Sequence, residues 1–382
     1  MTPYLYQKDR RYVAQIPAGM AELATAELTA LGARQIEPLG RSLSFRATPA
    51  QLYTIVYQAR LLSRLLAPLK SAACRHRDDL YTAGRQIPWE RFFRLGQTFA
   101  IFANVVDTPG FTNSHFAGQC LKDAIADHFR RQTGRRPSVD RRRPDIWLGL
   151  YIYKGQGTIS LDLGGGALHR RGYRRRSLIA PIQEIVAAAM LRLSGWQGDR
   201  PLFDPMCGSG TLLCEALMQS CRVPAGFLRP KNGLPFLPDY DSALWQRVKN
   251  KADGQVEPLT TGLISGSDLD HRAVQAARQN CRCLPGGRQI NLFRKDFREH
   301  EGVKNGVIVC NPPYGLRLGR DIDLNRLYKD FGDWLKQRCS GSSAYIYFGN
   351  REMIKRIGLK PAWKKPLRNA ELDGRVVKYE LY

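Results

Sequence analysis

The segment Val307-Ile308-Val309-Cys310-Asn311-Pro312-Pro313-Tyr314-Gly315 sets one polar side chain, two prolines and an aromatic ring at the end of a strand of buried type. That set of residues suits chemistry at an amine. The exocyclic amine of a nucleobase is a poor nucleophile, because its lone pair is delocalised into the ring. Two acceptors, the Asn311 side-chain oxygen and the Pro312 carbonyl, can hold its N–H groups and favour the pyramidal form, whose lone pair points at an electrophilic carbon. Proline fixes φ, so the acceptors are set before the reaction rather than ordered during it. Tyr314 offers a face on which a flipped-out base stacks. No strong base is needed, since the nitrogen becomes acidic once alkylated.

Three other strand ends bear on the source of that carbon. Leu202-Phe203-Asp204 runs into Pro205-Met206-Cys207-Gly208-Ser209-Gly210 and then an apolar helical stretch. In an open α/β sheet, ligands lie beyond the carboxyl ends of the strands. Glycines let backbone N–H groups approach a ligand, and the following helix adds its N-terminal dipole. The loop has neither the G-x-G-x-x-G spacing of a dinucleotide site nor the Gly-Lys-Ser/Thr of a phosphate loop. Asp204 instead suits the amino group of an amino-acid-like ligand. At the next strand end Asp268 can accept both hydroxyls of a ribose. At the third, Asp296, followed by Phe297, can accept from an adenine amino group. Three acidic strand ends at one sheet edge describe a nucleoside with an amino-acid tail. S-adenosyl-L-methionine fits, its sulfonium methyl being the electrophile. ATP, which needs phosphate donors, does not.

Holding these ends in line requires strands and helices in alternation, and the sequence has them from Ile182 onward. The pattern predicts a mostly parallel sheet covered by helices. A terminal hairpin, Leu367–Asn369 and Arg375–Tyr382, is expected around Asp373-Gly374. The proline-rich stretch 222–258 reads as a surface insertion. Earlier in the chain, strand-like runs at Arg11–Ile16 and Leu43–Arg46 mix with helical periodicity at Met20–Leu31 and Leu52–Leu66, a small α+β unit. The next region repeats the logic with a strand at Phe99–Asp107 and a helix at Phe116–Gln132. Strands at Asp145–Tyr153 and Thr158–Leu163 are expected to form a hairpin turning at Gly155-Gln156-Gly157.

The charge names a partner class. The 382 residues carry 59 Lys+Arg against 34 Asp+Glu, a net +25, which implies a polyanion. Residues 1–180 are the richer part, with runs at Arg130-Arg131, Arg135-Arg136, Arg141-Arg142-Arg143, and Arg170-Arg171 with Arg174–Arg176. Arginine suits bidentate phosphate contacts and stacking on bases, so nucleic acid is expected. The nine cysteines are scattered, with only Cys281-Arg282-Cys283 close together, so a structural metal is not expected. No apolar run reaches the ~18 residues of a membrane span, and Met1–Tyr6 lacks the features of a signal peptide. A cytoplasmic location is the resulting expectation.

The Asp-Pro-Met-Cys-Gly-Ser-Gly-Thr and Asn-Pro-Pro-Tyr-Gly motifs resemble those of amino-group methyltransferases with a Rossmann-like fold. Leu168-His-Arg-Arg-Gly-Tyr-Arg174 with Ala180-Pro181-Ile182 resembles the linker and cofactor-flanking segment of the THUMP-domain guanine-N2 RNA methyltransferases, nearest the bacterial 23S ribosomal RNA enzymes of RlmL type. The resemblance covers nearly the whole chain. It implies a ferredoxin-like domain over 1–70, a THUMP RNA-binding domain over 71–165, and a Rossmann-like catalytic domain over 166–382. It further implies that Asp204, Met206, Cys207, Gly208 and Gly210 hold the methionine end, Asp268 the ribose, and Asp296 with Phe297 the adenine, with Pro181 alongside. Arg317, Arg141, Arg142, Arg143 and Arg171 are candidate substrate contacts. The implied partner is 23S ribosomal RNA or a pre-ribosomal particle, with neither membrane nor metal. Many such enzymes carry a second methyltransferase unit downstream, and with the sequence stopping at Tyr382 none is expected here. A transfer RNA guanine-N2 enzyme, a DNA adenine-N6 enzyme and a non-catalytic RNA-binding assembly factor remain as alternatives.

Overall fold

A computed structural model describes residues 3–178, 181–314, 323–370 and 372–382. They fall into two compact units, one drawn from 1–16, 25–168 and 230–249, the other from 17–24, 169–229 and 250–382.

The first unit is built on one eight-stranded sheet. Its strands are β1 (Arg11–Gln15), β2 (Arg34–Leu39), β3 (Ser42–Arg46), β4 (Arg64–Ala73), β5 (Thr98–Val106), β6 (Ser138–Val139), β7 (Ile146–Tyr153) and β8 (Gln156–Asp162). They lie in the order β2-β3-β1-β4-β8-β7-β5-β6, so β4 pairs with β1 on one flank and β8 on the other. The helices of this part of the chain are α1 (Leu5–Asp9), α2 (Ala21–Ala30), α3 (Pro49–Gln58), α4 (Arg77–Arg85) and α5 (Ser114–Thr133).

Helix α3 begins as its sequence dictates. Thr48 and Gln51 form a capping box, and Pro49 occupies the first turn. It stops at Gln58, so the helix expected over Leu52–Leu66 is only half helix. The N–H groups of Arg60 and Leu61 donate to the buried Glu27 carboxylate at 3.1 and 2.9 Å, which draws the chain out of the helix before β4. The β7–β8 turn sits at Lys154-Gly155, with φ of 48° and 74°, rather than at Gly155–Gly157. Two left-handed residues match the twist of a two-residue hairpin.

The second unit holds a seven-stranded sheet. Its strands are β9 (Leu202–Asp204), β10 (Ile264–Asp268), β11 (Asn291–Arg294), β12 (Val307–Cys310), β13 (Ser343–Phe348), β14 (Trp363–Asn369) and β15 (Leu372–Glu380). The order is β11-β10-β9-β12-β13-β15-β14, parallel through β13 and antiparallel at β15 and β14. Its helices are α6 (Glu184–Ser194), α7 (Thr211–Ser220), α9 (His271–Cys281) and α10 (Leu324–Arg338), while α8 (Ser242–Asp253) lies for the most part in the first unit. Helix α10 buries Leu327, Tyr328, Phe331, Trp334 and Leu335, one stripe at helical spacing, against Phe203, Ile308, Ile346 and Phe348 of the sheet.

Two expectations need correction here. Asn369 pairs with Leu372 and Leu367 with Gly374, so Asp373-Gly374 lies inside β15 and is not the turn of the terminal hairpin. The stretch 222–258 is not a surface insertion. Its residues 230–249 belong to the first unit, where Leu234 and Leu237 are buried and Trp245 meets Tyr53 and Tyr57 edge-on.

Candidate active site

Parallel pairing lays four strand ends side by side. In the order β11, β10, β9, β12, the residues at or just past the carboxyl ends are Asp296, Asp268, Asp204 and Asn311. The strand order reverses at β9, the position where open α/β sheets hold ligands.

The Asp204 carboxylate is buried, and one of its oxygens accepts from the Met206 N–H at 3.2 Å. Burial pushes its pKa well above the usual carboxylate range, and the nearby charge of Asp268 pushes it further. Asp268 is raised too, chiefly by burial, although the N–H groups of Gly208 and Asp270 each donate to it at 2.9 Å. Two desolvated carboxylates of like charge are relieved by a cation placed between them. This pair of acceptors therefore fits a ligand that donates from an ammonium group and hydroxyls.

The loop between them is held on several sides. The Cys207 N–H donates to the Ser267 carbonyl at 2.9 Å, tying β9 to β10, and the thiol is buried. Gly210 caps α7 at φ 78°, and a side chain there would meet Ala277 of α9 at 3.0 Å. Met206 packs partly buried against the apolar cluster under α10.

Asn311 follows a strand whose four residues are all buried. Its Oδ1 is buried and has no hydrogen-bond partner among the described residues. An unmet buried acceptor costs about 1–3 kcal/mol, which a donor on a ligand would recover. Next to it, the Pro313 carbonyl accepts from the Tyr328 hydroxyl of α10 at 3.2 Å. Tyr314 is half-buried.

The other expected residues are placed more variously. Asp296 accepts from the Arg298 N–H and pairs with its guanidinium, both at 2.9 Å, and is half-buried. Phe297 is buried edge-on to Phe331 and Trp334. Pro181 is half-buried ahead of α6, and Arg317 lies outside the described residues. Arg141, Arg142 and Arg143 are exposed, on a loop whose Asp140 carboxylate accepts from the N–H groups of Arg142 and Arg143. Arg171 is a correction. It is 1% exposed and paired with Glu215 of α7, so its charge faces the interior and not a phosphate.

Two positioning residues went unrecognised in the sequence. Arg174 donates to Glu184, to the Ile182 carbonyl and to Thr211 at 3.0–3.1 Å, bracing the start of α7 from behind. Asn280, buried on α9, accepts from the N–H groups of Arg175 and Arg176. It donates to the Arg176 and Ser209 carbonyls, the latter within the glycine loop. An amide among the alanines on the buried face of a helix was the available signal.

No described helix is long and apolar enough to cross a membrane. Among the described residues no three His, Cys, Asp or Glu side chains are grouped as metal ligands.

Residues 171–378 match the family model of the RMKL-like methyltransferase domain, and residues 74–162 match that of the THUMP domain. A Synechocystis sp. protein named provisionally as an RNA methyltransferase is 37% identical, over 98% of this chain and 97% of its own. The ribosomal RNA large subunit methyltransferase K/L of Syntrophotalea carbinolica is 35% identical over 97% of this chain and 53% of its own. The chain thus spans about half the length of the K/L relatives it matches. Among solved structures, SMU.472, determined with SAH bound, aligns with a TM-score of 0.83 at 27% identity, covering 97% of this chain and 98% of that one. TrmN from Thermus thermophilus shares the fold, with a TM-score of 0.66 at 21% identity over 97% and 99% of the two chains. The acidic strand ends, the glycine loop and the Asn-Pro-Pro-Tyr turn all fall within the matched span, and the chain belongs to the RMKL-like methyltransferase family, with a THUMP domain ahead of its methyltransferase domain.

Proposed function

We propose that this chain uses S-adenosylmethionine to methylate the exocyclic N2 amine of a guanine in 23S ribosomal RNA, free or within a pre-ribosomal particle. The observation that carries the reading is the buried Asn311 Oδ1, without a hydrogen-bond partner among the described residues, just past the strand that neighbours the one ending in Asp204. Asp204 and the loop through Met206, Cys207, Gly208 and Gly210 take the methionine end. Asp268 takes the ribose, and Asp296, beside Phe297, the adenine. When bound, the cofactor supplies a methyl group on a sulfonium centre. Asn311 Oδ1 accepts one N–H of the guanine amine and the Pro312 carbonyl the other, which turns the lone pair out of conjugation. Tyr314 stacks the extruded base. The methylated amine is strongly acidic and loses its proton to water.

Support for RNA comes from the first unit. Arg141, Lys122, His115 and Trp147 line a groove of about 310 Å³. A larger concavity of about 830 Å³ is of mixed charge, with Arg77, Lys122, Arg130 and Arg136 set among Asp78, Asp123 and Asp127. In this reading residues 1–70 form the ferredoxin-like part, 71–165 the THUMP part that grips RNA, and 166–382 the catalytic part.

Methyl transfer from labelled S-adenosylmethionine tests the proposal, with 23S ribosomal RNA, transfer RNA and DNA offered separately. Label in N2-methylguanosine from the 23S fraction is expected. Label only in transfer RNA would reassign the substrate. No label from a protein that still binds cofactor would leave an RNA-binding factor.

A further inference from the structure

Gly349 follows the last residue of β13, and its φ lies outside the left-handed region, so the backbone does not require glycine there. What requires it is Tyr314. A Cβ on Gly349 would lie 2.9 Å from both Cγ and Cδ1 of that ring and 3.1 Å from Cδ2. Three ring atoms at nearly equal distance mean that the absent side chain points at the ring rather than past it. The neighbouring residue is tied to the same turn. Phe348 stacks on Tyr328 at 5.6 Å, and the Tyr328 hydroxyl holds the Pro313 carbonyl. The end of β13 thus backs the turn through Tyr328 and the tyrosine ring through a bare backbone.

We propose that Gly349 is a positioning residue that fixes the depth of the base-stacking site, by giving the Tyr314 ring a backbone floor on which its distance from the target base is set. This rests on the stacking role given to Tyr314 above. Ordinary van der Waals contact begins at 3.4 Å, so a methyl group at 349 drives the ring at least about 0.5 Å toward the base. Displacements of ~1 Å in a reacting geometry cost about 10²-fold in rate.

The test is a double-mutant cycle read by single-turnover methyl transfer on the native RNA. Gly349→Ala is expected to slow transfer roughly 10- to 100-fold, with cofactor and RNA affinities within about two-fold of the parent. In a Tyr314→Ala background the same substitution should cost almost nothing further, because no ring remains to displace. An equal loss in both backgrounds, or a matching loss of cofactor affinity, would overturn the proposal and make Gly349 a residue of the fold. If Gly349→Ala alone is too unstable to assay, recovery of its thermal stability by adding Tyr314→Ala supports the contact, and failure to recover refutes it. A Tyr314→Ala enzyme of unchanged rate would sink stacking itself and this inference with it.

Discussion

Asn311 carries its acceptor into a buried position with no donor to meet it among the described residues, so its value in the proposed reaction lies in what it does once an amine arrives. Asn311→Ala should cut single-turnover methyl transfer by ~10²–10³, while cofactor and RNA affinities hold. Tyr314→Ala should also slow transfer, through lost stacking of about 1–3 kcal/mol, whereas Tyr314→Phe keeps the ring and most of the rate. A near-normal rate for Asn311→Ala would show that the turn does not grip the amine. Asp268 predicts a pH dependence. Burial holds its carboxyl above the ordinary 3.8, and the protonated form cannot accept from both ribose hydroxyls. Cofactor affinity should therefore fall as pH drops through that raised pKa, and Asp268→Asn should bind weakly with a flatter profile by calorimetry. Stability of the free protein runs the other way. A carboxyl raised on folding adds stability below 3.8 that is lost as pH rises through its folded value.

Among the elements, those with a strong period or a cap were legible in the sequence, and those shaped by distant partners were not. The helix expected over Phe116–Gln132 is α5, capped by Asn113 and ended by Gly134. The parallel strands leading to Asp204 and Asn311 were equally plain, because each is a short apolar run ending in a polar residue, whereas β10, Ile264-Ser265-Gly266-Ser267-Asp268, has little apolar character of its own. Strand β2, RQIEPL, has no buried residue to give it a period, and it went unseen. The end of α3 depends on Glu27, far back in the chain. Arg171 looked like its neighbours in a basic run, and only the fold turns it inward. The segment from Arg171 to Arg174 is in fact pinned to α7, through Arg171 and Tyr173 on Glu215 and Arg174 on Thr211. Removing one partner of a buried ion pair costs about 3–5 kcal/mol. Arg171→Ala should accordingly lower the denaturant midpoint sharply while the folded fraction binds RNA as before. Weakened RNA binding at unchanged stability would contradict this placement.

For the whole molecule, the net charge of +25 makes RNA affinity an electrostatic quantity. Six to ten phosphate contacts would cost ~10³–10⁵ in affinity between about 50 and 200 mM salt. Replacing Arg141, Arg142 and Arg143 by glutamine should shallow that salt slope by roughly two to three, with methyl transfer at saturating RNA little changed. An unaltered slope would place the RNA path elsewhere. The charge was legible from composition, but which arginines face outward was not, since that is settled by Asp140 at one loop and Glu215 in one interior. The eight-stranded sheet has a consequence for how the chain is made. β4 is shared, with β1 on one flank and β8 on the other, and β5, β6 and β7 are all synthesised between them. As the nascent chain emerges at ~5–20 residues per second, the first three strands can claim one side of β4 at once. Its other side must wait for the final strand of the sheet. During that interval a bare strand edge faces the cell, and such edges pair readily with other chains. Pausing translation ahead of β8 should therefore yield aggregates, and a nascent-chain chaperone has a defined place to bind.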